Sequence, residues 1–432
     1  MESAEDNMSS ALCCKRSIVI HIPPSLKNRR FFLLWLGLLI SIAGTQMQIW
    51  ALFWHIRELT DKPVALGGVG LSRVLPVIIF TLIGGAVADS FKRTRIMLIA
   101  QSFAALTSLA LGWFTQIGQI TIWHIYALTA LQAVAFAFDG PARQALVPNL
   151  VPTKDLPNAF SMMSIAFQMG SILGPALTGF TIAFAGQEAV YYINAVSFLA
   201  VILALILIGD VPQKAPNHVK AVSWESIREG IHFILNKPII LSTMLLDFVA
   251  TFFASANTLM PIVARDILKV GVLEYGWLSA AQSAGAVIAA LVISQIPEIR
   301  RQGPIFLGAV VVFGAATVLF GLSSWVVLAW CALAVAGAAD SVSTIIRNTI
   351  RQLQTPDYIR GRMTSVNMIF FRGGPLLGEV EAGVVAQLLG APFAIVSGGI
   401  ACIVGLGMIV RRWPVLRNYN GDEPVLAGTT AN

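Results

Sequence analysis

The sequence predicts an all-α integral membrane protein of twelve transmembrane helices in two pseudo-symmetric six-helix bundles. Three observations carry that prediction. First, 12% of the 432 residues are charged and 56% are hydrophobic. A soluble chain carries about 25% charged residues, so too few remain here to solvate a folded surface. Second, the apolar residues fall in long stretches, and a bilayer-crossing helix needs about 20 of them; twelve such helices with short connections nearly exhaust the chain. Third, the sequence repeats itself at about half its length. A soluble fold and a large soluble domain are both excluded.

The apolar stretches lie near 31–57, 65–88, 96–115, 121–142, 159–185, 190–209, 239–264, 274–297, 304–322, 324–346, 363–389 and 392–412. They divide the chain into a tail (1–30), a six-helix bundle (31–210), a linker (211–238), a second bundle (239–412) and a second tail (413–432). The N-terminal residues Glu2, Glu5 and Asp6 lack the basic and apolar regions of a cleaved signal peptide. The linker holds Pro212 and Pro216, followed by Trp224, Ile227, Ile231, Ile234 and Leu235 at helical spacing. That pattern predicts an amphipathic helix lying on the membrane surface.

Basic residues set the orientation. Twenty-three of the 29 Lys and Arg fall on the side of the termini, among them Arg347, Arg351, Arg360 and Arg362 after the tenth span. Only Arg57, Lys62, Arg265 and Lys269 fall on the other, and Arg73 and Arg372 lie within spans. The asymmetry predicts both termini in the cytoplasm. It also makes the net charge of +7 an orientation signal, with no nucleic acid implied. Cys13, Cys14, Cys331 and Cys402 have neither ligand nor disulfide-framework spacing, and the five histidines form no metal or catalytic cluster. No metal or cofactor is expected.

The repeat appears as identities at a fixed offset. Arg143 and Arg347, Pro152 and Pro356, Gly174 and Gly378, Gly179 and Gly383, and Gly186 and Gly390 are each 204 residues apart. With a shift of 209, Gly67 meets Gly276 and Asp89 meets Glu298. Two six-helix halves related as a parallel repeat are an architecture of secondary transporters.

Three motifs sit on this frame. After the second span the chain reads Gly85-Ala-Val-Ala-Asp89-Ser-Phe-Lys92-Arg93-Thr-Arg95. This resembles the G-x-x-x-D-x-x-G-R-R/K signature of the major facilitator superfamily, with Lys92 at the second glycine. Gly85 would let a neighbouring helix approach closely. By the resemblance, Asp89 and Arg93 form an inner latch with the start of the eleventh span, where Arg360 and Arg362 lie. The fifth span reads Gly170-Ser-Ile-Leu-Gly174-Pro175-Ala-Leu-Thr178-Gly179, which resembles that family's antiporter motif with Thr178 for one glycine. Its small-residue seam and that of Ala281, Gly285 and Ala289 on the eighth span are expected to pack across the halves. Asp139-Gly-Pro-Ala-Arg143-Gln-Ala, Leu245-Leu-Asp247-Phe and Leu259-Met-Pro261 are similar to the branch that exports drugs and siderophores, with likeness over about 29–412. That branch often has Asp after the glycine of S-x-x-G in the first span; here Thr45 follows Gly44.

Ionisable groups within spans are costly and therefore candidates for function. Asp247 lies about 12 Å into the seventh span at about 1.5 Å per residue; Asp340 is in the tenth and Asp139 in the fourth. By the resemblance these spans line a central cavity, where three facing carboxylates would raise one another's proton affinity. Asp247 is the first candidate proton carrier and Asp340 the second. Asp139 has Arg143 one turn away, which would neutralise it. Arg73 matches Glu379 and Glu381 in depth from the outer side, so an outer latch joins Arg73 to one of them. The two glutamates are about 200° apart on their helix, and Arg372 is a rival partner two turns from Glu379. Gln46, Gln48, Trp50 and Phe53 on the first span are candidate cavity residues, with packing as the alternative role.

These readings favour a secondary transporter that exports a small amphipathic organic molecule in exchange for protons, by alternating access, as a monomer in the cytoplasmic membrane. The chain has no G-K-[ST] sequence to cradle ATP phosphates. Uptake and lipid or lysolipid translocation are the alternatives within the fold. An intramembrane enzyme lacks its nucleophile–base pair or metal set, and a transport-dead sensor lacks room for a signalling domain.

Overall fold

In the computed structural model, residues 23–212, 224–254, 256–296 and 299–421 are described. Most of both tails, Pro216 in the linker and Glu298 of the repeat lie outside the described residues. Six crossings form the first half. They are α1 (Arg29–Leu59), α2 (Pro63–Ser90), α3 (Arg93–Gln116), α4 (Ile122–Leu150), and α5 and α6, which share the helical stretch Leu156–Ile208. Asn28 caps α1 by accepting from the backbone N–H groups of Arg30 and Phe31. Thr121 and His124 form a reciprocal capping box at α4. α5 and α6 meet at Gly186, whose φ of 82° and ψ of 171° suit a residue without Cβ.

The linker helix is α7 (Trp224–Leu235), and the second half follows as α8 (Pro238–Phe253), α9 (Val272–Ser294), α10 (Gln302–Leu322), α11 (Val326–Leu353), α12 (Asp357–Leu389) and α13 (Ala391–Arg412). α12 passes into α13 at Gly390, with φ of 90°, repeating the turn at Gly186. The seventh crossing is not one helix. α8 ends at Phe253, a 3₁₀ turn covers Ala256–Leu259, and a π-helical turn follows at Val263–Ile267. Such turns mark interrupted, often functional, helices.

α7 does not simply lie on a lipid surface. Ile234 is buried among apolar side chains of the second half, and the Gly230 backbone lies close to the Arg362 carbonyl. Ile231 and Leu235 are exposed; the side chains of Trp224 and Ile227 lie outside the described residues. The helix is bound to α12, so it travels with the second half.

With twelve crossings, both ends of the described chain fall on one side, here called the basic end. Buried apolar side chains divide by depth. Toward the far end one cluster joins the halves, with Trp50, Leu66 and Tyr191 from the first and Tyr275, Phe320 and Ala382 from the second. Toward the basic end there are two clusters, one wholly within each half. Among the described residues, the halves share a buried core at the far end and have separate cores at the basic end.

Candidate transport pathway and its charged clusters

The far-end seal is built from glycines that let helices from opposite halves touch. A Cβ placed on Gly276 of α9 would lie 2.8 Å from the Gly179 Cα of α5, and one on Gly383 of α12 would lie 2.9 Å from the Gly67 Cα of α2. Tyr275 donates its hydroxyl hydrogen to the Trp50 carbonyl at 2.8 Å. Ser283 donates to the Ser171 carbonyl at 3.0 Å. The antiporter-like motif is thus divided in use. Gly170 and Gly174 face Ile42, Ala43 and Gln46 of α1 within their own half, while Ser171 and the far end of the motif, from Pro175 to Gly179, meet α9. The expected partner seam on the eighth span is likewise redirected, because Gly285 faces the Ala334 backbone of α11. Both corrections follow from helix rotation, which small-residue spacing does not specify.

Two ion pairs cross the same seal. Arg73 Nη1 of α2 stands 3.4 Å from Glu379 Oε1 of α12. Glu381 has no contact with Arg73 among the described ion pairs, and the side chain of Arg372 lies outside the described residues. Nearer the surface, Arg57 Nη2 of α1 lies 2.8 Å from Asp266 Oδ2 in the π turn. Its Nε donates to the same oxygen at 3.2 Å, and Asp61 takes its remaining side. Arg57 and Asp266 escaped the sequence reading because each resembled an ordinary loop charge; only the tertiary fold brings residues 209 apart together.

Toward the basic end, the second half holds a buried charge cluster. Asp247 of α8 lies 2.9 Å from Arg347 Nη2 and 3.9 Å from Arg351 Nη2 of α11, and these three side chains are only 2–3% exposed. Arg347 also reaches Asp340 at 3.7 Å, whose side chain is 41% exposed. Arg347 donates to Ser343 Oγ at 3.2 Å, and Arg351 bonds Asn367 of α12. Two carboxylates and two guanidiniums balance.

This corrects the expectation of three carboxylates facing one another. Arg347 stands between Asp247 and Asp340, while Asp139 belongs to the other half, where it accepts from Gln101 Nε2 at 2.9 Å and faces Arg143 at 3.6 Å. Arg347 and Arg351 had been read as loop cations. α11 runs to Leu353, past the apolar stretch, and carries them inward. The signal available was Asp340, Ser343, Arg347 and Arg351 at spacings of three and four, one polar face of a helix.

The inner latch is described only in part, since the side chains of Asp89 and Arg360 lie outside the described residues. Arg93 Nη1 donates to the Ala145 carbonyl of α4 at 2.8 Å, and Arg362 pairs with Glu229 of α7. Gly85 does not carry the close approach assigned to it, because a Cβ there meets nothing within 4 Å. Gly84 does, with the Ala137 carbonyl 2.3 Å from its Cβ position.

The cavity candidates on α1 also need correction. Gln48 is buried in a polar network, donating to Gln132 Oε1 at 2.8 Å and accepting from Ser108 and Asn194 at 2.7 Å each. Phe53 and Trp50 belong to the far-end apolar cluster. Gln46 is partly exposed and donates to Ser171 Oγ at 2.9 Å. The packing role holds for Gln48, Trp50 and Phe53.

Residues 23–423 match the family model described as Transmembrane secretion effector, a major facilitator family. The chain belongs to that family. It is a major facilitator transporter, not an enzyme, and a multi-pass membrane protein. Similarity to named members is spread over the whole length. The chain is 25% identical to the Multidrug efflux pump Tap of Mycolicibacterium fortuitum over 406 residues, 91% of this chain and 98% of that one. It is 25% identical to the Enterobactin exporter EntS of Shigella boydii serotype 18 over 346 residues, 79% and 82% of the two chains. In fold it matches the crystal structure of a bacterial homolog of the human lysosomal transporter Spinster in an inward-facing, unoccupied conformation. The TM-score is 0.68 at 14% identity, covering 92% of this chain and 97% of that one.

Proposed function

We propose that this transporter exports a small amphipathic organic molecule, such as a drug or a siderophore, across the cytoplasmic membrane in exchange for protons. The basic end and both termini face the cytoplasm, in keeping with the distribution of Lys and Arg, and the protein works as a monomer. One observation carries the reading: the halves share a core at the outer end and separate cores at the inner end, so the cleft opens toward the cytoplasm, where an exporter collects its cargo. The efflux and exporter names of its relatives support the direction.

Asp247 is the inner coupling carboxylate and Asp340 its second. Arg347 touches both, so protonating one changes the hold on the other. Asp89, with Arg93, Arg360 and Arg362, forms the inner latch of the opposite state. Arg73 and Glu379 form the outer contact that must part before cargo leaves.

The test is flux in proteoliposomes with an imposed pH gradient, using ethidium and a catecholate siderophore as probes. Gradient-driven accumulation with matching proton movement is expected, and Asp247→Asn should abolish the coupling in a folded protein. Probe flux without proton movement would sink the antiport reading. Coupling unchanged in Asp247→Asn would move the role to Asp340 or elsewhere.

A further inference from the structure

Glu379 differs from the other membrane-embedded carboxylates in where and how it is held. It lies in the far-end seal between the halves, only 8% exposed. One oxygen has a single ion-pair contact, to Arg73 at 3.4 Å, and the other is buried with no hydrogen-bond partner. α2 is pressed against it, since a Cβ on Gly70 would come within 2.9 Å of Oε2. Asp247, by contrast, has two guanidiniums within 4 Å, although neither of its buried oxygens makes a hydrogen bond.

The surroundings offer Glu379 little more. From α2 the charged group facing it is Arg73. The turn Ala256–Leu259 carries no ionisable side chain. α8 brings only Asp247, at the opposite end, and α13 only the buried thiol Cys402 and, in its last turn at the opposite end, Arg411 and Arg412. α7 contributes Arg228, Glu229 and His232 beyond the basic end. On α12 itself, Glu381 points about 200° away, and Arg372 lies two turns toward the basic end.

A buried carboxylate with one oxygen orphaned is unfavourable unless its partners restore what water supplied. A neutral acid avoids that cost. Arg73 keeps 27% of its side chain exposed, so it is not enclosed with Glu379. Opening the seal would return Glu379 to water and to its charged form.

We infer that Glu379 is the group that takes up the proton from the outer side, and that its neutralisation is what lets the halves close there. This rests on the antiport reading and gives it an outer loading site. It also fixes a sign. The closed seal binds the proton more tightly than the open one, so acidification favours closure. A plain Arg73–Glu379 latch predicts the reverse, because protonation would break it.

The two are separated by distance measurement on the full chain in lipid nanodiscs. Cys13, Cys14, Cys331 and Cys402 are replaced by serine, and spin labels are placed at Gln119→Cys and Ser324→Cys, exposed far-end turns of opposite halves. The distance should shorten as pH falls. Glu379→Gln should give the short distance at every pH, Glu379→Asp should keep the shift, and Asp247→Asn should keep it too. A distance that lengthens on acidification, that does not respond to pH, or that still shifts in Glu379→Gln overturns the inference. So does a shift lost in Asp247→Asn. Proton flux in proteoliposomes is read separately. Absent flux with an intact Glu379-dependent shift would sink antiport alone, and coupled flux without the shift would sink the Glu379 assignment alone.

Discussion

Arg347 shows how much one side chain organises. It touches Asp247 and Asp340 and donates to Ser343, while Arg351 one turn later bonds back to its carbonyl at 3.1 Å. Breaking a buried pair by removing one partner costs about 3–5 kcal/mol, whereas replacing both with apolar groups is near neutral. Arg347→Met should therefore lower the unfolding midpoint clearly, followed by tryptophan fluorescence in detergent. Adding Asp247→Leu should not recover the loss, because it leaves buried Arg351 without the carboxylate beside it, whereas adding Arg351→Met as well should recover most of it without restoring coupled flux. At the basic surface, hydrogen bonds from Lys92 Nζ at 2.8 and 2.9 Å, together with its charge, hold the Asp210 carboxyl below the usual aspartate range. A depressed value in the folded state stabilises above the ordinary aspartate value, and that stability is lost as pH falls through the depressed one. The gap in unfolding midpoint between wild type and Asp210→Asn should thus exist at neutral pH and vanish in acid, and it should be small because both side chains are exposed. Charge sign and depth were readable in the sequence at Arg73 and Glu379, because both lie well inside apolar stretches. They were not readable at Arg347, where a polar helix face extends past the apolar run.

Among elements, apolar length placed the twelve crossings, and glycines at an offset of 204 placed the matching turns at Gly186 and Gly390. Helix rotation was out of reach. The alternation of small residues in α5 says that something approaches closely, and only the fold says that Gly174 meets α1 while Gly179 meets α9. The break in the seventh crossing had one signal, Pro261 within the apolar stretch 239–264, since a proline cannot bond the carbonyl four residues before it. The glycine contacts yield a direct expectation. Gly276→Leu puts side-chain atoms where Gly179 lies, so the far end should fail to close while each half stays folded. Thiol labelling of a cysteine introduced at Gln119 should not report this, whereas one at Ser283, against Ser171 in the seal, should become reactive. An unreactive thiol there would mean that the seal does not depend on that crossing.

At the scale of the molecule, closure at the far end joins the halves through both charge and packing. Glu379→Arg would fix a charge in the seal and should hold the far end open at every pH, and adding Arg73→Glu should not restore closing on acidification. If the exchange closes the far end in the same spin-label distance, an ion pair and not a neutral acid sets the seal. The halves themselves were legible from the repeat, but their tilt was not, because composition is identical in every state of a rocking transporter. The turns at Gly186 and Gly390 have one more implication. Where a single glycine reverses the chain between two crossings, the far end shows almost no polypeptide at that turn. Antibodies and proteases would find little to grip there. An epitope inserted at Gly118, where a side chain would meet open space, should be visible on intact cells, and the same insert at Gly186 should cost the protein its fold.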